Sequence, residues 1–177
     1  MIMDRITVGE FAHILISECG EKPIAEEPPF AEEKPDAKRG NKLSEGVACR
    51  ITDGYMIDDM LDRRAAAKIT HLYIRDVLGI IDLDNINPAE ILRDLYDCRV
   101  CVNHIAQIYL RGIMDAIKME SATGDPFYIF DGRKAVSEKE AEQIVDRVIG
   151  RLKGKEYGIR DFTSCKKLRQ TQGFDGR

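Results

Sequence analysis

The sequence predicts an all-α fold, because strong helix-start signals recur along the chain whereas strand signals are weak. Two capping boxes begin at Thr7 and Ser137, each with a glutamate three residues later, so that side chains satisfy free amides of the first helical turn. Alternating runs of β-branched residues are absent, and TGDPFYIF at 123–130 is the one short strand candidate. We therefore expect helices to build the body of the protein.

Further helix boundaries are predicted by single residues. Asp62 is a good N-cap, and Asn87 before Pro88 marks another start with proline at the first helical position. Asp97 can cap a helix within YDCRVCVNHIAQIYLRGIMDA, residues 96–116. Helices are expected to stop at three glycines, Gly79, Gly112 and Gly150.

Composition divides the 177 residues into a helical body and its flanks. Residues 1–19 are expected to form a helix that docks on the body at 47–152. Residues 20–46 are rich in Glu, Lys and Pro and predict a disordered acidic linker, since they bury too little apolar surface to offset the chain entropy. Residues 153–177 form a basic tail, because eight Lys/Arg against three Asp/Glu from Arg151 onward give +5.

Charge and hydropathy limit the partners. The apolar runs are only a few residues long, so we expect no membrane span. The net charge of −4 does not favour nucleic-acid binding, and the basic tail is interpreted as solvated. The linker is long enough for the first helix to pack in a neighbouring subunit, which would give a homo-oligomer by helix exchange.

Two features of the sequence bear on location. The N-terminus lacks a basic region followed by an apolar block, and the five cysteines are an odd number, whereas a secreted disulfide framework uses an even set. Both favour the cytoplasm, whereas a location at the cell surface would require that a leader has been removed.

Three helix starts are alike. Written from the residue before the cap, they are ITVGEFAHI (6–14), LDRRAAAKI (61–69) and VSEKEAEQI (136–144). Each has an aliphatic residue, a capping residue and an isoleucine seven positions after the cap. The pattern is typical of repeated helix–loop–helix units, although capping boxes are common enough to recur by chance.

The third start belongs to a longer pattern, which resembles the S-layer homology (SLH) motif. That motif opens with an aspartate and an aromatic residue, ends its first helix at Gly-Ile, and places a phenylalanine seven residues before a Thr-Arg-Ala-Glu helix start. The matching residues here are Asp94, Tyr96, Gly112, Ile113, Phe130, Ser137 and Glu140. The match is best over 94–152 and weaker over 55–81 and 6–19.

The resemblance implies SLH-like units in a pseudo-threefold bundle, with a non-catalytic function. Such a module would bind anionic bacterial cell-wall polysaccharide and anchor a protein at the cell surface. The arginine of the family's binding pattern is present only as Arg63, for which the nearby aspartates favour a surface ion pair over ligand binding. Val8 and Glu138 occupy the other two places. The alternative is a cytoplasmic protein-interaction or regulatory module on an SLH-like scaffold that has lost glycan binding.

Five residues are the candidate ligand-binding set. Three belong to the SLH-like helix starts and two lie on the flank of the helix predicted within 96–116. They are Asp62, Arg63, Ser137, Asn103 and His104.

The cysteines next to that flank have three interpretations. Positions 98, 101, 105, 108 and 112 follow helical spacing, which favours Cys98 and Cys101 as buried free thiols on an apolar stripe. Cys-x-x-Cys at a helix start is also typical of a redox pair. The two cysteines with His104 could instead bind zinc, with a fourth ligand from Cys49, Cys165, His13 or His71.

No other pattern indicates catalysis. His13, His71 and His104 are each expected alone on a helix, and no phosphate-binding loop or nucleophile elbow occurs. The sequence therefore predicts no enzyme activity, no cofactor and no metal.

Overall fold

The computed structural model describes residues 5–19 and 46–153, with side chains as far as Arg151. Nearly all of the linker predicted at 20–46 and of the tail predicted at 153–177 lies outside the described residues. The helical segments in the described ranges are α1 (Val8–Cys19), α2 (46–51), α3 (Arg63–Leu72), a π-helical turn (Tyr73–Val77), two 3-10 turns (Asn87–Ile91 and Leu95–Asp97), α4 (Val102–Leu110) and α5 (Glu138–Lys153).

The prediction of an all-α fold is wrong. Helix accounts for 53% of the structure, and two strands, β1 (Ile117–Glu120) and β2 (Pro126–Ile129), form an antiparallel hairpin. Gly124 has φ +82° in the connecting turn, a conformation that glycine adopts without strain. The fold is therefore mixed, and the clean helical bundle implied by the SLH resemblance is corrected.

The hairpin is attached to the helices through its second strand. Arg93 N donates to Tyr128 O at 2.9 Å, and Leu92 forms a parallel bridge with Tyr128. The strand candidate at 123–130 contains β2, but β1 has no alternating apolar pattern, since three of its four residues are exposed. Pairing with β2, rather than local sequence preference, makes β1 a strand.

One apolar core joins the helices. α1 packs against α3 and α5, and α3 packs against α4. Two of the three isoleucines that lie seven positions after a cap are fully buried in this core: Ile69 is 0% exposed and Ile144 is 2% exposed. The third, Ile14, is partly exposed and packs against the core. The largest completely buried side chains include Phe11, Leu15, Tyr73, Ile108 and Phe130.

Three helices begin at one place, called here the helix-start junction and defined by Ile6, Leu61 and Val136. Leu61 N donates to Ile6 O at 3.0 Å, and Val136 N donates to Leu61 O at 2.9 Å. All three side chains are buried. Antiparallel bridges flank them, pairing Arg5 with Ser137, Thr7 with Met60 and Asp62 with Ala135. The three similar helix starts are thus adjacent in space as well as alike in sequence.

Several predicted helix ends differ from the structure. α4 begins at Val102, with Cys101 as its N-cap, so the prediction that Asp97 caps it is wrong. Gly79 and Gly112 follow helical segments with φ +69°, as predicted, but Gly150 lies within α5. The start at Asn87 yields only a 3-10 turn.

Candidate functional site

Arg63 is the buried polar centre of the helix-start junction. It is 4% exposed, and its Nε donates to Phe130 O at 2.9 Å. Its two terminal nitrogens donate to the Glu140 carboxylate and to Asp115 O. The guanidinium also lies over the Phe130 ring, 4.7 Å from the centroid. Arg63 therefore contacts partners within the chain rather than presenting its donors to solvent.

The surface ion pair expected at this helix start belongs to the next residue. Arg64 Nη2 donates to Asp62 Oδ2 at 2.9 Å, and both side chains are partly exposed. The other carboxylate oxygen of Asp62 accepts from Ala65 N at 2.8 Å, which is the predicted N-cap. Asp62 is thus occupied by the helix start and by Arg64.

Four of the residues that carry the SLH resemblance, Asp94, Phe130, Ser137 and Glu140, are linked by hydrogen bonds that pass through Arg63. The Asp94 carboxylate accepts from Phe130 N at 2.6 Å and from Asp131 N at 2.7 Å. Phe130 in turn contacts Arg63, which pairs with Glu140. Ser137 Oγ accepts from Glu140 N at 3.2 Å, whereas the Glu140 carboxylate is turned to Arg63 instead of back to its own cap. The motif positions therefore fix the place where α3 and α5 meet the segment that follows the hairpin.

A second polar group, called here the His71 cluster, consists of His71, Asp82, Asn103 and His104. His71 Nε2 lies 2.7 Å from Asp82 Oδ1, and its Nδ1 lies 2.7 Å from Nδ1 of His104. Asn103 Nδ2 donates to Asp82 Oδ2 at 3.1 Å. His71 comes from α3, Asn103 and His104 come from α4, and Asp82 comes from the segment between the helices. His71 and His104 are each the single histidine of their helix, and the packing of α3 against α4 brings them together.

Burial determines the charge state of this cluster. Burial lowers the pKa of His104 to about 4, with the charges of His71 and Lys68 acting in the same direction. Burial also lowers the pKa of His71, and this effect exceeds that of the hydrogen bond with Asp82, which raises the pKa. Burial alone would raise the pKa of Asp82, but the hydrogen bonds from His71 and Asn103 hold it below its ordinary value. Near pH 7 the cluster therefore contains two neutral imidazoles and one carboxylate.

These charge states assign the protons by hydrogen-bond logic. Asp82 accepts from Nε2–H of His71, so Nδ1 of His71 has the lone pair that accepts from Nδ1–H of His104. Nε2 of His104 is then unprotonated. The chain of hydrogen bonds runs from Asp82 through a histidine that is 1% exposed to one that is partly exposed.

Side chains on the same face of α4 form hydrogen bonds with the backbone of the segment that contains Asp82. Gln107 is fully buried; its Oε1 accepts from Leu83 N at 2.9 Å and its Nε2 donates to Leu83 O at 3.0 Å. Arg111 Nη2 donates to Ile81 O at 2.7 Å. Because these residues follow Asn103 at successive turns of α4, one stripe of the helix fixes Ile81–Leu83 and holds Asp82 against His71.

The structure corrects the interpretation of Cys98 and Cys101 as free thiols on a helical stripe. Both precede α4, and their sulfurs are bonded, with the Cα atoms 5.2 Å apart. Only the later members of the stripe, Ile105 and Ile108, are buried on the helix. Within residues 5–19 and 46–153, no group of three metal-ligating side chains is placed to hold a metal ion.

The five candidate residues fall into two separate groups. Asp62, Arg63 and Ser137 lie at the helix starts, and Asn103 and His104 lie in the His71 cluster. Arg63 and His71 are eight positions apart on α3, which separates the groups by about 12 Å along the axis. Sequence reasoning missed His71 and Asp82 as partners. The sequence placed His71 with His104 only as one of four possible fourth ligands of a zinc ion, and no local pattern indicates Asp82.

Comparison of the chain with family models, with curated proteins and with solved structures found no match. In the part of the chain that the structure describes, no helix combines the length and the apolar character needed to cross a membrane.

Proposed function

We propose that this chain is a non-catalytic binding module related to SLH domains, with an anionic bacterial cell-wall polysaccharide as its ligand. One observation supports the relationship above the others: Asp94, Phe130, Glu140 and Arg63 form a single bonded set. The spacing that resembles the SLH motif thus corresponds to contacts within this chain, which supports the proposed relationship. The ligand comes from the family resemblance.

The polysaccharide is proposed to bind at the His71 cluster rather than at Arg63. The guanidinium of Arg63 is buried among partners, so it presents little to a polymer. Asn103 is exposed and His104 is partly exposed, and both are held in place by hydrogen bonds. Lys68 lies on the same side of α3, close enough to lower the pKa of His104. Its Nζ donates to Asp53 O at 2.7 Å, but the side chain remains partly exposed and supplies a positive charge for an anionic polymer.

Co-sedimentation with purified cell-wall sacculi tests this proposal. The full chain is expected to sediment with sacculi that retain their secondary polysaccharide and to stay in solution with sacculi from which acid has removed it. Replacing Lys68 by Gln should weaken binding several-fold and reduce its salt dependence, because one ionic contact is lost. Lys139→Gln, an exposed lysine of α5, is the matched control and should bind normally. Equal sedimentation with both preparations, or none with either, contradicts the glycan ligand.

A second candidate function, a protein-interaction module, is favoured by an exposed apolar loop. Met56, Ile57 and Met60 are 72%, 61% and 48% exposed. The loop backbone is nevertheless fixed to α1, since Gly9 N donates to Ile57 O at 2.8 Å and Val8 N donates to Asp59 O at 2.9 Å. A fixed loop that presents apolar side chains is a feature of protein-binding surfaces.

A photo-crosslinking amino acid at position 57 tests this second candidate. Cross-linking to a discrete protein, abolished by Met56→Ser with Met60→Ser, is the expected result. A monomer in sedimentation velocity that yields no cross-linked product in cell extract argues against it.

A further inference from the structure

The bonded cysteines occupy an accessible place at the start of a helix. Cys98 follows the 3-10 turn Leu95–Asp97, and Cys101 is the N-cap of α4. Both residues are partly exposed, so a small thiol in solvent can reach the bond. Other disulfides stabilise a fold by joining distant segments, but this one closes a loop of only a few residues and removes little entropy from the unfolded chain.

The two sulfurs are in different electrostatic surroundings. No side chain caps α4, and its first α-helical hydrogen bond at this end runs from Ile105 N to Cys101 O at 2.9 Å. The amides of residues 102–104 precede that bond and form the positive end of the helix at Cys101. Cys98 lies outside the helix and directly follows Asp97. A thiolate is therefore better stabilised at Cys101 than at Cys98.

We infer that Cys98 and Cys101 form a thiol–disulfide exchange site that reacts with low-molecular-weight thiols while the protein stays folded. An external thiolate attacks Sγ of Cys98; the Cys98–Cys101 bond breaks, and its electron pair leaves on Sγ of Cys101 as a thiolate. A second external thiolate attacks the outer sulfur of the mixed disulfide at Cys98 and releases Cys98 as a thiolate. Two thiols are thus oxidised to one disulfide, and the protein disulfide is reduced to two thiols.

Two other cysteines of the described residues provide internal references. Cys49 is an exposed free thiol, and Cys19 is a half-buried one whose pKa burial raises to about 11. Neither adjoins a second cysteine in sequence. They show how a single accessible thiol and a single protected thiol of the same chain behave under the same conditions.

Equilibration of the full chain with mixtures of reduced and oxidised glutathione tests the inference. Samples are quenched with acid, alkylated with N-ethylmaleimide and mapped by mass spectrometry, while circular dichroism reports helix content. The peptide with Cys98 and Cys101 is expected to change from unlabelled to doubly labelled with one midpoint, reached from either direction, at constant helix content. Reduction that occurs only in denaturant, or a reduced protein that oxidised glutathione does not reoxidise at this pair, overturns the inference.

Single variants test the direction of attack. Cys101→Ser should retain a glutathione mixed disulfide at Cys98, since the resolving thiolate is gone. In Cys98→Ser the glutathione adduct at Cys101 should be lost about tenfold more readily, because the better-stabilised thiolate is the better leaving group. A bond that is only structural predicts equal adducts at the two positions, at the level found for Cys49. Equal adducts therefore count against the inference.

Discussion

The helix-start junction and the His71 cluster each bury an ionisable side chain, but they bury different chemistry. Arg63 is 4% exposed and pairs with Glu140 as its countercharge. His71 is 1% exposed and is neutral near pH 7, between Asp82 and a second neutral histidine. The junction is therefore held by an ion pair, whereas the cluster contains imidazoles whose lowered pKa values make stability depend on pH.

Removing Arg63 should have the largest effect, because it leaves Glu140 without its partner and two backbone carbonyls without donors. Arg63→Leu is expected to lower the free energy of unfolding by about 3–5 kcal/mol, the usual effect of breaking a buried ion pair. Arg64→Leu is the matched control and should cost less than about 1 kcal/mol, since its pair with Asp62 is partly exposed. Urea denaturation measures both, and similar losses for the two variants would contradict the special role of Arg63.

Acid should destabilise the His71 cluster. The folded pKa of His104 is about 4 against 6.5 for the free side chain, so the unfolded state binds more protons between these values. Stability should therefore fall as the pH drops from about 6.5 towards 4, by about 1–2 kcal/mol after allowing for the partial exposure of His104. His71, whose pKa is also lowered, acts in the same direction.

Thermal unfolding from pH 7 to pH 4 checks this expectation. His104→Gln should flatten the acid side of the profile, and His13→Gln, at an exposed position of α1, is the control that should leave it unchanged. If the thermal stability of His104→Gln and of wild type fell equally between pH 7 and pH 4, the cluster would not be the pH-sensitive element.

The smallest effects should come from the helix caps, and they test whether Glu140 serves its own cap or only pairs with Arg63. Thr7 has the full reciprocal box, since Glu10 Oε2 accepts from Thr7 N at 2.8 Å and Thr7 Oγ1 accepts from Glu10 N at 3.2 Å. Ser137 has only half of one, because Glu140 is paired with Arg63. Thr7→Ala should cost about 1 kcal/mol and Ser137→Ala about half as much in denaturant unfolding. The reverse order would show that Glu140 still serves its cap.

Local signals predicted part of this architecture. Thr7, Asp62 and Ser137 all begin helices where capping preferences place them, because a cap depends only on a side chain and the next few amides. The likeness of the three starts also pointed to related positions in the fold. The candidate residues Asn103 and His104 were identified from their helical flank, but the sequence did not reveal their partners.

The sequence by itself thus determined where the helices begin at Thr7, Asp62 and Ser137, since those choices are made within one helical turn. Only the tertiary structure decided the β1–β2 hairpin, the burial of Arg63, and the contact of His71 with Asp82 and His104. The physical reason is the same in each case. A strand needs a partner strand, a buried charge needs a countercharge from another helix, and a histidine acquires its pKa from groups that the chain brings to it only on folding.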